Sequence, residues 1–507
     1  MKTYHTIKTL ALGGIAMFSL ASCSLDYEPL SEPSEITQGG QTETSTAVLK
    51  DKAAADAQLK SLYELFRNRQ EHTHLDYLLI GDSHSDNAYA GTTGAEVVPY
   101  ETNSIDASNS VLIRDWNRYL EDIAKANVLI NGVEQLKENG QISEAEYHSY
   151  KAQGEIFRAL MMFRMARLWG SFPVITTIAK TITSENINEV YPTYYPPRKT
   201  PKECYEQIIA DLTDAEQYAP DNDNSDRTKM TKTVAQAMLA KVYAEKEVQD
   251  YDKVIAYADK VMNTTGVELE DSYETLWGYD ETAIDCMKRN TKEGILEVHW
   301  SGGGNWETWM YGRQLDNWDY YFTWAKWITP SRDIINDFDK EGDEVRKNQA
   351  IVYYACTWSN YYPASNYPFM YKLRSSYNNI YWVRLADIIL MKAEAEAYKG
   401  NLAESAKLVN QIRKRAKLKE LTSDKTGSKE SMIEAVLHER RLELAFEGER
   451  WFDLCRNNKV EKYLNGIDSR DSGRIRQVKQ FDSNSYLLPI PQTALDQNTN
   501  LEQNPGY

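Results

Sequence analysis

Two carboxylates near the C-terminus, Glu443 and Glu447, have the spacing at which a helix places side chains one turn apart. Glycoside hydrolases use a pair of carboxylates, one of which must stay protonated to act as a general acid. The same segment is rich in arginine and contains Arg440, Arg441 and Arg450. Their positive charges favour the ionised form of both carboxylates. We therefore interpret the pair as part of an ion network rather than as a catalytic site.

The charges of this segment are spaced for contacts on one face of a helix. Four pairs of opposite charge lie three residues apart: Arg440 with Glu443, Glu447 with Arg450, Arg450 with Asp453, and Asp453 with Arg456. Phe446, Trp451 and Phe452 are interleaved with them. We predict a half-buried ion network packed over these rings, with Gly448 breaking or turning the helix.

The sequence carries none of the usual motifs of catalysis or cofactor binding. It has no Gly-x-Ser-x-Gly, no phosphate-binding glycine loop, no His-Glu-x-x-His, no dinucleotide fingerprint and no EF-hand loop. We predict that the chain is not an enzyme and has no cofactor.

Metal-ligating residues are too scattered to predict a metal site. Besides Cys23, the chain has four widely separated cysteines and no Cys-x-x-Cys pair: Cys204, Cys286, Cys356 and Cys455. Their spacing assigns no disulfide, although an exported chain can form one. The nearest histidines are His72, His74 and His84, and we interpret them as polar surface residues.

The negative net charge of the chain limits the classes of ligand that it is expected to bind. The formal net charge is −17 at pH 7, and no basic stripe is present. Such a chain repels nucleic acid and anionic membrane surfaces. A neutral oligosaccharide or polysaccharide is the more natural ligand than an acidic one.

Residues 266–375 lack the apolar spacing of a helix and contain many aromatic side chains. A strand ending at Trp300 precedes a glycine loop and a run of tryptophan and tyrosine. Aromatic rings bury the C–H faces of sugars, while amides, carboxylates and guanidinium groups bind the hydroxyl rim. Most of these rings should be core. The predicted ligand-binding residues are those near the glycine loop: Trp306, Trp309, Trp318, Tyr320, Asn305 and Arg313.

Elsewhere, apolar residues at three-to-four spacing predict a mostly α-helical protein. The predicted long helices are 53–69, 115–136, 145–169, 201–219, 231–247, 251–262, 384–399 and 402–416. Two of the helix pairs place alanines where the helices would touch: Ala235, Ala240, Ala393 and Ala395. Such pairs are typical of tetratricopeptide repeats. Repeats separated by an insertion should still pack together, because each must bury a face against its neighbour.

The N-terminus has the pattern of a bacterial lipoprotein signal. Lys2 and Lys8 precede a short apolar stretch that ends in Leu20-Ala21-Ser22-Cys23, a lipobox. We predict a signal peptide over residues 1–22, lipid attachment at Cys23, and a polar tether over residues 23–48. A plain cleavable signal with an incidental cysteine is the alternative.

Several motifs, in order along the chain, resemble the SusD/RagB family of nutrient-binding outer-membrane lipoproteins. They include Trp116, Tyr119, Ala126-Asn127, Arg158-Ala159, Trp169-Gly170, Ile328-Thr329-Pro330-Ser331, residues 382–395, residues 438–456, and residues 488–507. The resemblance implies a SusD-like fold, with a tetratricopeptide scaffold and an irregular, aromatic-rich insertion. It divides the folded chain into a helical region (49–265), the insertion (266–375) and a C-terminal region (376–507).

The resemblance also implies a location, a partner and further site residues. Acidic Asp26 and Glu28 after the cysteine resemble the signal for export to the cell surface, so we expect a lipid-anchored protein on the outer membrane. Its partner would be a SusC-like TonB-dependent transporter. An early loop would join the insertion at the glycan site and contribute Asp86, Asn87 and Tyr89. A turn that hydrogen-bonds its own backbone is an equal interpretation of Asp86-Asn87. Two alternative functions remain for the chain. It could be a lid of the same fold that captures peptides, or a repeat scaffold that joins proteins and binds no small ligand.

Overall fold

The computed structural model describes residues 49–91, 94–300, 327–357 and 360–507. The predicted signal peptide, lipid-bearing Cys23, the tether and residues 301–326 lie outside these ranges. Within them, none of the helices combines the length and the apolar character that crossing a bilayer requires.

The described chain is mostly helical. Its longer helices are α1 (Lys52–Asn68), α2 (Ser110–Glu138), α3 (Glu144–Trp169), α4 (Pro201–Tyr218), α5 (Lys232–Ala244), α6 (Tyr251–Met262), α7 (Arg332–Glu341), α8 (Leu385–Lys399), α9 (Leu402–Arg415), α10 (Lys429–Glu443) and α11 (Arg450–Arg456). Shorter helical turns include Glu71–Leu75, Asp76–Leu78, Leu79–Ser83, Val98–Thr102, Ile187–Val190, Tyr191–Tyr194, Glu274–Trp277, Glu344–Ala350, Val460–Leu464, Ile467–Arg470 and Gln492–Gln497. The mostly α prediction is confirmed.

Local sequence explains where the helices begin. Ser143 caps α3 and Thr200 caps α4, and in both cases a glutamate three residues later returns a hydrogen bond to the cap. Pro201 occupies the first turn of α4, where its missing N–H costs nothing. The helix predicted over residues 201–219 therefore begins at its predicted residue.

The helix pairs stack as repeats. Helix α4 packs on α5, α5 on α6, α6 on α8, and α8 on α9 and α10. The four alanines predicted at close helix contacts are fully buried: Ala235, Ala240, Ala393 and Ala395. Because α6 and α8 touch across more than 120 intervening residues, the repeats separated in sequence do form one stack.

A buried charge joins helices α2, α3 and α4 of this scaffold. Arg158 on α3 donates two hydrogen bonds of 2.8 Å to the carboxylate of Asp211 on α4. The same guanidinium donates to the amide oxygen of Asn127 on α2, also at 2.8 Å. This bidentate arrangement fixes the relative rotation of the three helices, since each partner is buried.

Within the described ranges, strands occur as four small antiparallel pairs. They are β1 (Ala88–Tyr89) with β5 (Thr329–Pro330), β2 (Tyr279–Asp280) with β3 (Asp285–Cys286), β4 (Gly294–His299) with β8 (Asn379–Arg384), and β6 (Ile351–Tyr354) with β7 (Tyr367–Met370). The strand predicted to end at Trp300 is β4. Its pairing with β8 joins the insertion to the start of α8.

The histidine interpretation is wrong. His72 and His84 are buried rather than on the surface, and all three histidines lie in or beside helical turns over residues 71–83. His72 Nε2 lies 2.8 Å from Asp122. The ring of His84 contacts that of Trp451 at 4.1 Å between centroids, and burial lowers its pKa to about 4.

Metal-ligating residues do not cluster in the described part of the chain. No group of three or more such side chains able to hold a metal ion occurs there. Cys204, Cys286, Cys356 and Cys455 all lie in the described ranges and form no disulfide with one another, and Cys204 and Cys356 are buried.

Candidate functional site

The C-terminal carboxylate Glu443 lies at the centre of a buried ion network. It accepts a hydrogen bond of 2.6 Å from Arg384 and one of 3.2 Å from Arg346, and it also pairs with Arg415. Burial opposes its ionisation, but these guanidinium groups hold the pKa of Glu443 below its usual range. A carboxylate held ionised in this way cannot serve as a general acid.

The partners within this network differ from those predicted. Arg440 binds Asp453 and Asp387, both at 2.8 Å, rather than Glu443. Of the predicted pairs three residues apart, Asp453 with Arg456 is present at 2.8 Å. The predicted half-burial is also wrong, since the side chains are almost completely buried. Gly448 does turn the chain, at φ +81° between α10 and α11.

Asp86, predicted to bind ligand, is instead buried against the C-terminal segment. Arg450 donates to both of its carboxylate oxygens, at 2.8 and 2.9 Å, and Arg441 donates to its carbonyl oxygen at 2.9 Å. Burial opposes ionisation, but Arg441 and Arg450 hold the pKa of Asp86 below its usual range. Its side chain is inaccessible to solvent and has its acceptors occupied.

Asn87 and Asp82 belong to the same contact. The amide of Asn87 donates to Asp82 at 2.8 Å and accepts from Arg441 at 2.9 Å. Asp82 accepts backbone N–H groups of Phe446 and Gly448 at 3.1 and 2.9 Å. Burial raises the pKa of Asp82 to about 6. Asn87 is fully buried, and its amide is occupied by these two contacts within the chain.

Tyr89 is buried as well. Its hydroxyl donates to Asp471 at 2.6 Å and accepts from the backbone N–H of Arg332 at 3.0 Å. Its ring stacks on that of Tyr361, with 4.3 Å between centroids. The three early-loop residues predicted to contact ligand therefore fill the interior, because each finds a partner elsewhere in the chain.

These interior contacts join the early loop to the insertion, as the family resemblance implies. Besides the β1–β5 pairing, Ser83 donates to the carbonyl of Trp327 at 3.1 Å. The hydroxyl of Tyr361 lies within hydrogen-bond distance of the Gly91 carbonyl (2.9 Å) and the Glu101 carboxylate (2.7 Å). We call this contact region the loop junction. The loop junction includes residues on both sides of 92–93 and residues that follow 301–326.

Two tyrosines beside the loop junction are exposed. Tyr353 and Tyr354 on β6 are 39% and 41% accessible, whereas Tyr367 and Phe369 on the paired strand β7 are fully buried. Tyr362, in the loop between these strands, is half-buried and packs under the Arg332 guanidinium at 4.2 Å. The expected mixture of core and surface aromatics is present here. Sequence alone did not single out Tyr353 and Tyr354, because adjacent tyrosines on a strand should face opposite sides.

The remaining predicted ligand residues lie outside the described part of the chain, in residues 301–326. They are Trp306, Trp309, Trp318, Tyr320, Asn305 and Arg313. Trp300, at the near edge of that segment, is buried and packs edge-on against His74 at 5.6 Å.

The protein has a helical repeat scaffold and an aromatic insertion that contacts an early loop. This is a SusD-like architecture. The SusD family model matches residues 292–507, and a second model, described as starch-binding associating with outer membrane, matches residues 41–244. Together the two matches span most of the chain. The chain belongs to the SusD/RagB family.

Individual relatives agree with this assignment. "SusD-like protein P2" of Formosa agariphila is 27% identical over 440 residues, which cover 79% of this chain and 81% of the relative. A SusD superfamily crystal structure from Bacteroides vulgatus superposes with a TM-score of 0.73 at 20% identity, covering 91% of this chain and all of that one. A structure titled "Laminarin binding SusD-like protein" has a TM-score of 0.69 at 22% identity and covers 90% of this chain and all of that one.

Proposed function

We propose that this protein is a lipid-anchored protein of the outer-membrane surface that binds a neutral oligosaccharide or polysaccharide without cleaving it. It then passes the glycan to a SusC-like TonB-dependent transporter, which it covers as a lid. In this proposal the chain consists of a signal peptide (1–22), an anchor and tether (23–48), a helical scaffold (49–265 and 376–507) and a glycan-binding insertion (266–375).

The observation that carries this proposal is the loop junction. It holds the insertion rigidly on the scaffold, and Tyr353 and Tyr354 expose aromatic surface beside it. Exposed rings on a rigid support bind sugar faces at little cost in conformational entropy. A relative in the same fold is titled as laminarin-binding, which favours a glycan over other ligands.

The test is calorimetry on the mature chain made without its lipid, against a panel of neutral polysaccharides and a peptide mixture. We expect a polysaccharide to bind and the peptides not to. Trp306→Ala combined with Trp318→Ala should abolish binding while the circular dichroism spectrum is unchanged. Tyr218→Ala, which removes an exposed ring on the repeat scaffold, is the matched control and should bind as the wild type does.

Other results of these measurements would support the alternative functions. Binding of peptides alone would make the protein a peptide-capturing lid of the same fold. Absence of affinity for any soluble oligomer would favour the repeat scaffold. If the double tryptophan variant unfolds, those rings are core and the predicted site residues are wrong. The transporter step is tested separately, by co-purification of the lipidated protein with a TonB-dependent barrel from outer membranes.

A further inference from the structure

Helix α3 carries three buried arginines, Arg158, Arg164 and Arg167, which differ in how their charges are neutralised. Arg158 has the carboxylate partner described above. Arg167 pairs with Glu245 at 2.8 Å and with Glu449 at 3.1 Å. Arg164 is only 8% exposed and forms no ion pair with the residues that the structure describes. Because an unpaired charge is costly to bury, some further interaction must compensate that of Arg164.

Aromatic rings hold the Arg164 guanidinium in place. Its central carbon lies 3.1 Å from the centre of the Tyr77 ring and 4.4 Å from the centre of the Trp382 ring. Both rings are fixed in turn, since Tyr77 stacks on Phe452 at 4.8 Å and Trp382 packs edge-on against Phe66 at 5.0 Å. A guanidinium that contacts aromatic faces keeps its N–H groups free in its own plane. Such contacts offset only part of the cost of removing an ion from water.

Three nitrogen atoms in this part of the interior are free to bind an acceptor. Arg164 Nη1, Trp300 Nε1 and His74 Nε2 are buried, and none has a hydrogen-bond partner among the described residues. The Trp300 ring packs on that of His74, with 5.6 Å between centroids. Burial and the charge of Arg164 lower the pKa of His74 to about 3, so the imidazole is neutral at pH 7 and carries one N–H. Buried polar groups are nearly always bonded in native proteins, so this set indicates a bound acceptor.

The carboxylates of the neighbouring elements do not neutralise Arg164. Glu449 is bound to Arg167, as described above. Asp115 on α2 is fully buried, and burial together with the nearby Asp76 raises its pKa well above the usual range, which favours its neutral form. Asp76 itself pairs with the arginine that precedes Asp115. Within the described ranges, a positive charge therefore remains beside free N–H donors.

We propose that Arg164, Trp300 and His74 bind a small monovalent anion such as chloride, and we call this cluster the Arg164 site. An anion neutralises the guanidinium and accepts hydrogen bonds from N–H groups, whereas a metal cation is repelled and a neutral sugar leaves the charge uncompensated. The low exposure of Arg164 restricts the ligand to a small ion. Because Trp300 directly follows β4, the bound anion links α3 to the start of the insertion. The inference does not depend on the glycan proposal, since the ligand and its site are different.

The test is thermal unfolding of the mature, lipid-free chain at constant ionic strength, with sodium chloride replacing sodium glutamate, whose anion is too large for the site. A ligand that binds only the native state raises its stability by mass action, so the unfolding temperature should rise by about 3 °C as chloride reaches about 200 mM. Arg164→Met keeps the length of the side chain without its charge and should abolish the rise. Trp300→Phe keeps a ring without the N–H and should reduce the rise by about half or more.

The matched control removes the same charge from the surface. Arg476 is exposed, and Arg476→Met should keep the chloride response of the wild type. The line width of the chloride NMR signal measures binding directly, and it should be greater with the wild type than with Arg164→Met.

Several results would overturn the inference. An equal rise in the wild type and in folded Arg164→Met would be a general salt effect, and so would an equal loss of the response in Arg476→Met. A wild type that neither responds to chloride nor broadens its signal would not contain the site. If Arg164→Met does not fold, an unchanged response in Trp300→Phe would be sufficient to reject it.

Discussion

Gly81 lies directly against the backbone of Gly448, so that a Cβ atom built on Gly81 would be 2.2 Å from the Gly448 carbonyl oxygen. The two glycines belong to segments far apart in the sequence, the early helical turns and the link between α10 and α11. Their contact brings Asp82 within reach of the Phe446 and Gly448 N–H groups. The close approach of the two backbones lets the side chains of the early loop reach the C-terminal segment, as in the pairing of Asp86 with Arg450.

Substitution of Gly81 by alanine should destabilise the protein strongly. The added methyl group meets backbone atoms that cannot move independently, and we expect a loss of about 3 kcal/mol. Urea unfolding followed by circular dichroism would measure it. Gly140→Ala is the control, because its Cβ would meet nothing within 4 Å. That variant should lose only the strain of its left-handed conformation, about 1 kcal/mol. Equal losses in the two variants would contradict the close contact.

Asp86→Asn should reduce stability rather than remove a ligand contact. The change leaves the buried guanidinium group of Arg450 without its carboxylate, which costs about 3–5 kcal/mol, whereas Arg441 keeps Asp333 at 2.9 Å. Asp221→Asn removes a carboxylate that is 88% exposed and should cost less than about 1 kcal/mol. Thermal unfolding of both variants would compare them. A stable Asp86→Asn protein that no longer binds glycan would show that Asp86 contacts the ligand after all.

Lys372 should make stability depend on pH in the alkaline range. Burial lowers the pKa of this ammonium group to about 8, although Glu447 lies 2.6 Å away. Between pH 8 and the unfolded pKa of about 10.4, the unfolded chain binds more protons than the native one, so stability rises with pH.

The Lys372→Met variant isolates this effect. Relative to Lys372→Met, the wild type should gain up to about 3 kcal/mol between pH 8 and pH 10.4. Glu447 keeps Arg384 as a partner in the variant, with 2.7 Å between them. Urea unfolding at a series of pH values would measure both proteins. A constant difference across this range would mean that the native ammonium group does not titrate there.

The exposed tyrosines of β6 should affect glycan binding more than stability. Combined Tyr353→Ala and Tyr354→Ala should lower the free energy of unfolding by no more than about 2 kcal/mol, because both rings are partly exposed, at 39% and 41% accessible. Glycan affinity, measured by calorimetry, should fall about tenfold. Tyr367→Ala, on the neighbouring strand, removes a fully buried ring and should cost about 3–5 kcal/mol. Unchanged glycan affinity in the folded double variant would place the site elsewhere in the insertion.

Local patterns in the sequence predicted the helices well. Apolar spacing placed α6 at its observed limits, and α4 begins at Pro201, its predicted first residue. Gly448 was correctly predicted to turn the chain. These features depend on contacts within a few residues, which the order of amino acids records directly.

Long-range pairings were not predictable in the same way. Asp86 and Asn87 follow a helix and precede a glycine-containing loop, a pattern that indicates an exposed turn. They are buried because Arg450 and Arg441 meet them from the other end of the chain. Spacing also suggested Arg440 with Glu443, whereas Asp387 and Asp453 compete for that arginine. One sequence does not reveal which of many opposite charges come together in space.

The pairing of Asp86 with Arg450 spans 364 residues, and this separation constrains the order of folding. The early loop cannot bury its carboxylate until nearly the whole chain has been made, since the neutralising arginine arrives in the last sixty residues. Closing so long a loop is slow and comes late. A nascent or truncated chain that lacks α11 would lose both hydrogen bonds that Arg450 donates to the Asp86 carboxylate. We therefore expect the early loop of such a chain to pack incompletely.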